Sequence, residues 1–133
     1  MVGRMIIAMF LGAVIGFERE VSKKPAGLRT HILVSLGACL FTISSFYFSP
    51  NLGAGDFTRI AAGVVTGIGF IGAGSIIATR GHVKGLTTAA SLWLVAAVGL
   101  MVGMGSYILS FLGAILGFLV LRLGKIERSI EEK

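Results

Sequence analysis

Long apolar stretches alternate with short charged segments along the chain. One stretch runs from Thr30 to Phe48 and the next from Ile60 to Thr79, and neither contains Asp, Glu, Lys or Arg. A helix of about 20 apolar residues crosses the roughly 30 Å hydrocarbon layer of a bilayer. The pattern therefore predicts membrane-spanning helices.

The uncharged stretch from Gly85 to Leu121 is too long for one span. Its 37 residues would form a straight helix of about 55 Å, nearly twice the thickness of the hydrocarbon layer. The sequence Gly103-Met-Gly-Ser106 supplies a turn between two shorter spans. We therefore predict an all-α polytopic membrane bundle with five transmembrane helices, over about residues 2–19, 30–48, 58–79, 86–102 and 106–123.

The composition fits a membrane as the solvent. Of the 133 residues, 55% are hydrophobic and 14% are charged, and the mean hydropathy is +0.92. Soluble domains carry about 25% charged residues, so this chain lacks the polar residues to cover an apolar core in water. We predict a transmembrane domain over residues 1–123 and a short charged cytoplasmic tail over 124–133.

Lysine and arginine are distributed unevenly between the predicted loops. Ten of the twelve lie in the segments 18–29, 80–85 and 122–133, and the other two are Arg4 and Arg59. Because cytoplasmic loops carry the excess of positive charge, we predict an N-terminus outside the cell and a C-terminus in the cytoplasm. No A-x-A-like site follows the first span, which favours a retained helix over a signal peptide. No basic stripe or aromatic platform indicates nucleic-acid binding.

The segment Gly67-Ile-Gly-Phe-Ile-Gly-Ala-Gly74 contains the G-x-G-x-x-G spacing of dinucleotide-binding proteins. That motif needs a strand before it and an acidic residue about 20 positions later, and residues 57–126 contain no Asp or Glu. We interpret the glycines as packing residues of a central third helix that contacts two neighbours, because small side chains let helices approach in lipid. Glycine carbonyls lining an ion pathway are the alternative. The predicted packing positions are Gly12, Gly16, Gly63, Gly67, Gly69, Gly72 and Gly74, and the G-x-x-x-G spacing recurs at Gly99/Gly103 and Gly113/Gly117.

Ionisable side chains near the ends of the spans are candidate functional residues, because charge at membrane depth is costly. Arg19 falls on the helical strip of Gly12 and Gly16, where it could face the bundle and pair with a carboxylate. For Glu18 and Arg29, a buried ion pair and a solvated loop are both open.

Asp56 opens the third helix, where it either caps the helix N-terminus or senses a cation or a proton at the outer mouth. It is the candidate contact for Mg²⁺, although one carboxylate is too few for a dedicated metal cage. We expect His31 to have an interfacial role and Cys39, the one cysteine, to be a small buried hydrophobic residue. No nucleophile, base and orienting group occur at a credible spacing, so we expect neither an enzyme nor a bound cofactor.

Four segments resemble the membrane domain of the MgtC/SapB family. They are GAVIGFERE, KPAGLRTHILVSLGACLFT, DFTRIAAGVVTGIGFIGAGSII and VKGLTTAASLWLVAAVG, and the match covers about residues 8–105 in order. The resemblance implies a five-helix protein of the bacterial inner membrane, linked to growth in low magnesium and, in pathogens, to survival inside macrophages. It also implies polar positions of functional interest at Glu18, Arg29, Thr30, Asp56, Arg59, Thr87 and Thr88.

The chain departs from the family pattern at two places. Many members have Gln at the position of Gly63, and many carry a soluble C-terminal domain, whereas this sequence ends soon after the fifth span. The resemblance implies modulation of another membrane complex, which for some members is the F-type ATP synthase. The alternatives are a magnesium or proton transporter and a homo-oligomeric scaffold without flux, and crosslinking through Cys39 is the expected test of the scaffold.

Overall fold

Five helices and one short hairpin make up the described part of the chain. The computed structural model describes residues 1–48, 55–79 and 82–131. The prediction of an all-helical bundle with five helices is confirmed, with the hairpin as an addition between the third and fourth helices. The elements in chain order are α1 (Val2–Val21), α2 (Leu28–Phe48), α3 (Gly55–Gly74), β1 (Ile77–Thr79), β2 (His82–Lys84), α4 (Leu86–Met104) and α5 (Tyr107–Glu131).

Three helices are long and apolar enough to cross a membrane. They are α2 over Leu28–Phe46, α4 over its whole length and α5 over Tyr107–Gly124. The apolar part of α3 is shorter, and α1 carries four charged residues. Large apolar side chains point outward, with Phe70 and Ile108 89% and 78% exposed. Large exposed apolar surfaces mark contact with a membrane or with another protein, and together with the three long apolar helices they indicate a multi-pass membrane bundle.

α4 is the central helix, because it packs against each of the other four helices. Val95 and Val102 lie in one buried cluster with residues of α1, α2 and α5. Leu92 and Leu100 lie in a second cluster with residues of α2 and α3. The expectation of a central third helix is therefore wrong. α3 does have the two expected main neighbours, α2 and α4, but it packs at the edge because α4 is the helix with apolar faces on opposite sides.

α3 ends at Gly74, earlier than the sequence predicts. At its end the backbone hydrogen bonds become shorter in sequence: the Ser75 N–H donates to the Gly72 carbonyl at 3.0 Å and the Ile76 N–H to the Ala73 carbonyl at 3.1 Å, which tightens the last turn. The Ser75 hydroxyl also donates to the Gly72 carbonyl, at 2.7 Å. β1 next pairs antiparallel with β2, with Ile77 opposite Lys84. β-branched residues in this segment favour an extended backbone, and a long uncharged run does not reveal that preference.

The turn between α4 and α5 lies where the sequence predicts it. Gly105 has a φ of 87°, a left-handed conformation that glycine adopts without a steric penalty. The Ser106 N–H donates to the Met101 carbonyl at 2.9 Å, which closes the end of α4 as in a Schellman motif. The backbone of α5 continues as helix beyond residue 123, into the segment that we expected to be a tail.

Candidate functional site

α1 and α2 form a close-packed antiparallel pair. A β-carbon placed on Gly12 would lie 2.8 Å from the carbonyl oxygen of His31, and one placed on Gly16 would lie 2.9 Å from the Cα of Leu28. No real β-carbon fits at such distances, so only glycine lets these two backbones come together. This approach buries the face of α2 that carries His31 and Ser35, which are both 0% exposed.

α4 packs on the same face of α2 just as closely. A β-carbon placed on Gly99 would overlap the carbonyl oxygen of Ser35, and one placed on Gly103 would lie 2.5 Å from the Cβ of Thr42. α2 is thus held between glycines of α1 and glycines of α4. The polar side chains on its buried face lie at the junction of these three helices.

The end of α1 meets the starts of α2 and α4 at one end of the bundle, which we call the basic end (residues 18–29, 82–88 and 120–124). Glu18 and Arg19 are each 3% exposed there. Arg19 Nη2 donates to Thr88 Oγ1 at 3.0 Å, and Arg19 Nη1 lies 3.9 Å from Glu18 Oε2. Ser22 Oγ donates to Glu18 Oε1 at 2.6 Å. Glu18 thus contacts Arg19 and Ser22, whereas Arg29 is exposed and does not form the ion pair that was one of the predicted alternatives.

His31 extends this group of buried polar side chains into the bundle. Its Nδ1 lies 2.9 Å from the Gly27 carbonyl oxygen, and its Nε2 lies 3.0 Å from Ser91 Oγ. A carbonyl only accepts, so Nδ1 carries a proton. The single hydroxyl proton of Ser91 serves either His31 or the Thr88 carbonyl, which is 2.8 Å away. The expectation of an interfacial His31 is wrong, because the side chain is fully buried between α1, α2 and α4.

These six side chains form one group, which we call the polar cluster: Glu18, Arg19, Ser22, His31, Thr88 and Ser91. It joins α1, α2 and α4 through hydrogen bonds in addition to their close backbone contacts. Hydrogen bonds that join buried polar groups fix the relative position of the elements that carry them. The polar cluster therefore sets the register of these three helices at the basic end.

Arg4 holds the opposite end of α4. Its Nη1 donates to the Gly103 carbonyl at 2.6 Å, and its guanidinium lies 3.2 Å from a β-carbon placed on Gly105. A cation is favourable at a helix C-terminus, where carbonyl groups lack helical donors. The sequence prediction treats Arg4 only as a topology signal and misses this contact.

The remaining predicted polar candidates stay outside the polar cluster. Thr30 is half-buried, and Thr87 is exposed beside the buried Thr88. Arg59 is exposed and borders a groove between α2 and α3. The side chain of Asp56 lies outside the described residues, so its predicted roles stay predictions.

The predicted packing glycines divide into two groups. Gly12 and Gly16 contact α2 as described above, and a β-carbon placed on Gly72 would meet the Cβ of Ala89 at an ordinary 3.6 Å. A second group on α3 has no described atom of a neighbouring helix within 4 Å of the built β-carbon. Its members are Gly63, Gly67, Gly69 and Gly74.

Two of these open glycines line an apolar groove of about 650 Å³, which we call the α2–α3 groove. Gly63 and Gly67 form part of its α3 wall, and Gly37 and Phe41 form part of its α2 wall. A β-carbon placed on Gly37 also has open space around it in the described structure. The groove is thus bordered by uncovered small residues on both helices.

A second cavity, of about 930 Å³, opens at the basic end. Its charged lining consists of the cations Arg19, Lys23, Lys24 and Lys84 and the carboxylate of Glu18. Excess positive charge makes this cavity unfavourable for Mg²⁺. Among the described residues, no group of three or more His, Cys, Asp and Glu side chains could hold a metal ion.

The sequence profile of the MgtC family matches residues 5–129. The chain belongs to the MgtC family. It is 46% identical over 125 residues to the protein named "Putative magnesium transporter YhiD" of Escherichia coli (strain K12), an alignment that covers 90% of this chain and 58% of that protein. It is 47% identical over 103 residues to protein MgtC of Salmonella typhimurium, an alignment that covers 77% of this chain and 43% of that protein. It is 49% identical over 98 residues to protein MgtC of Brucella abortus, an alignment that covers 74% of this chain and 40% of that protein. The chain spans about half the length of these curated relatives, and no solved structure is significantly similar to it.

The MgtC-family bundle contains polar residues that sequence reasoning missed, namely His31, Ser91 and Arg4. A signal for His31 was available, because His31, Ser35 and Thr42 recur on one face of α2 at helical spacing. That face opposes the Gly12/Gly16 pair of α1, and polar residues facing small residues indicate a helix–helix interface in a membrane protein. No comparable local signal connects Arg4 with the end of α4.

Proposed function

We propose that this MgtC-family chain is a non-enzymatic protein of the bacterial inner membrane that acts in magnesium homeostasis by modulating another membrane complex. The uncovered glycines of the α2–α3 groove carry this proposal. Gly63 and Gly67 are four residues apart, a spacing that lets the backbone of another helix approach closely in lipid. Gly37 on the opposite wall widens the same space. The occupant that we propose is a transmembrane helix of the regulated complex, with the F-type ATP synthase as the first complex to test.

Close packing inside the bundle supports modulation over conduction. α1, α2 and α4 touch through backbone atoms at Gly12 and Gly99, which leaves no room for a hydrated ion between them. Mg²⁺ gives up its water reluctantly and is held through carboxylates. Glu18 is the one carboxylate of the polar cluster, and the guanidinium of Arg19 lies 3.9 Å from it.

Co-purification from bacterial membranes tests this function. Gly67→Leu fills the α2–α3 groove, and Gly3→Leu is the matched control, because a β-carbon on Gly3 also has open space around it in the described structure. We expect Gly67→Leu to lose the ATP synthase subunits that co-purify with the parent chain and Gly3→Leu to retain them. An unchanged yield for Gly67→Leu, or equal losses for the two variants, contradicts the proposal.

A magnesium or proton transporter is the second candidate, which the name of the Escherichia coli relative favours. It is tested with the purified chain in proteoliposomes across a magnesium gradient or a pH gradient. Uptake that Asp56→Asn abolishes would establish transport and contradict a purely modulatory role. Absence of uptake, together with co-purification of the ATP synthase, supports modulation.

Self-association through the α2–α3 groove is the third possibility, and it must be distinguished from contact with a different protein. Cys39 is 0% exposed, as expected for a small buried hydrophobic residue, so crosslinking through it cannot report subunit contacts. A Cys39→Ser chain that carries Gly63→Cys places the thiol at the groove instead. Disulfide-linked dimers in membranes would indicate a homo-oligomer, and their absence alongside co-purified partner subunits supports a heterologous contact.

A further inference from the structure

The start of α4 lines the cavity at the basic end. Gly85 is the N-cap residue, with a φ of 93°, and no side chain caps this helix end. The first helical hydrogen bond runs from the Ala89 N–H to the Gly85 carbonyl at 2.9 Å. The N–H groups of residues 86–88 therefore have no acceptor within the helix, and all three residues line the cavity. The start of a 19-residue helix is a favourable position for an anion.

Four cations lie around this helix start. Arg19 is fixed, because its side chain is 4% exposed and its guanidinium donates to Thr88. Lys23 and Lys24 come from the turn after α1, and Lys84 comes from β2, so the charges converge from separate segments. Converging ammonium and guanidinium groups with free backbone N–H groups are the donors that bind phosphate in proteins.

The opposite wall of the cavity is apolar and belongs to α5. It includes Val120 and Leu123, which are 63% and 54% exposed. The cavity volume of about 930 Å³ lies within the range of about 300–1,000 Å³ that is usual for small-molecule sites. This space exceeds what a bare phosphate ion fills, so the lining fits a phosphate joined to a larger group.

We propose that this cavity binds a phosphate-bearing anion, either the headgroup of an anionic phospholipid or a soluble phosphate compound. The phosphate lies at the start of α4 between Lys23 and Lys84, and an acyl chain, where present, follows α5. Glu18 does not oppose binding strongly, because it accepts a hydrogen bond from Ser22 and faces Arg19. The proposal is separate from the partner helix at the α2–α3 groove, since the two cavities share no lining residue among those described.

The test uses the purified full chain in detergent, with two probes. Inorganic phosphate is added at constant ionic strength against chloride, and thermal unfolding is followed. Phosphatidylglycerol and phosphatidylcholine are offered in mixed micelles, and lipid retention is followed by native mass spectrometry. We expect the double variant Lys23→Gln/Lys84→Gln to weaken binding by about thirtyfold, from the usual contribution of a lysine to anionic headgroup binding.

The matched control is Arg59→Gln/Arg122→Gln, which removes the same charge from residues that do not line this cavity. If inorganic phosphate stabilises the parent chain but not the lysine variant, and phosphatidylglycerol is not selectively retained, the ligand source is a soluble phosphate compound. If the parent chain and the control variant retain phosphatidylglycerol selectively and the lysine variant does not, the ligand source is a lipid headgroup. Binding of neither probe, or equal losses in the two double variants, overturns the proposal.

Discussion

Replacing Gly99 with alanine should destabilise the bundle, even though alanine is the better helix former. Gly99 lies in the middle of α4, where α2 crosses it. The new β-carbon would overlap the carbonyl oxygen of Ser35 and lie 2.9 Å from the carbonyl carbon of the same residue and 3.0 Å from the Cβ of Ala38. Two of these three atoms belong to the backbone, so no rotamer change relieves the overlap.

The expected magnitude follows from two opposing contributions. Alanine in place of glycine inside a helix stabilises by about 0.5–1 kcal/mol. Overpacking of a tight interface costs about 1–3 kcal/mol. The upper part of this range applies here, because the overlap is with the backbone of α2 and is relieved only when α2 and α4 move apart as whole helices. We therefore expect Gly99→Ala to lower the free energy of unfolding by about 1–2 kcal/mol.

Gly63→Ala is the matched control, because the same change on α3 meets no described atom within 4 Å. Its free energy of unfolding should stay constant or rise by up to about 1 kcal/mol. Unfolding in mixed micelles with increasing dodecyl sulfate, followed by the fluorescence of the one tryptophan, Trp93, measures both. A Gly99→Ala chain as stable as the parent would refute the close contact between α2 and α4.

Two further predictions concern the polar contacts at the two ends of α4. Thr88→Val keeps the shape of the side chain but removes the hydroxyl that accepts from the buried Arg19, so the free energy of unfolding should fall by about 2 kcal/mol. Thr87→Val is the control, because Thr87 is exposed, and a similar loss in both variants would argue against the Arg19 contact. Arg4→Met removes the donor to the last turn of α4 and should cost about 1 kcal/mol, with faster hydrogen exchange confined to that turn. Unchanged exchange there, or the same acceleration in Arg59→Met, would contradict the role of Arg4.

The glycine-rich third helix shows where sequence reasoning about packing reaches its limit. Small residues at helical spacing identify faces that allow close approach, and this reasoning applies equally to Gly12 and to Gly67. In the structure only the Gly12 face is filled within the chain, by His31 and Ser35. A glycine pattern indicates that a neighbouring helix can pack closely at that face, but it does not identify which helix packs there.

The sequence alone determined the number of helices, the approximate limits of α1, α2 and α4 and the membrane as their solvent, because these depend on local apolar length and on turn residues such as Gly105. It also placed Glu18, Arg19 and Thr88 among the candidate residues. Only the tertiary structure decided that Arg19 meets Thr88 across 69 positions and that His31 meets Ser91 across 60. Such pairs form because glycines bring separate helices into backbone contact, and contact between distant segments is a property of the packed bundle that no local pattern contains.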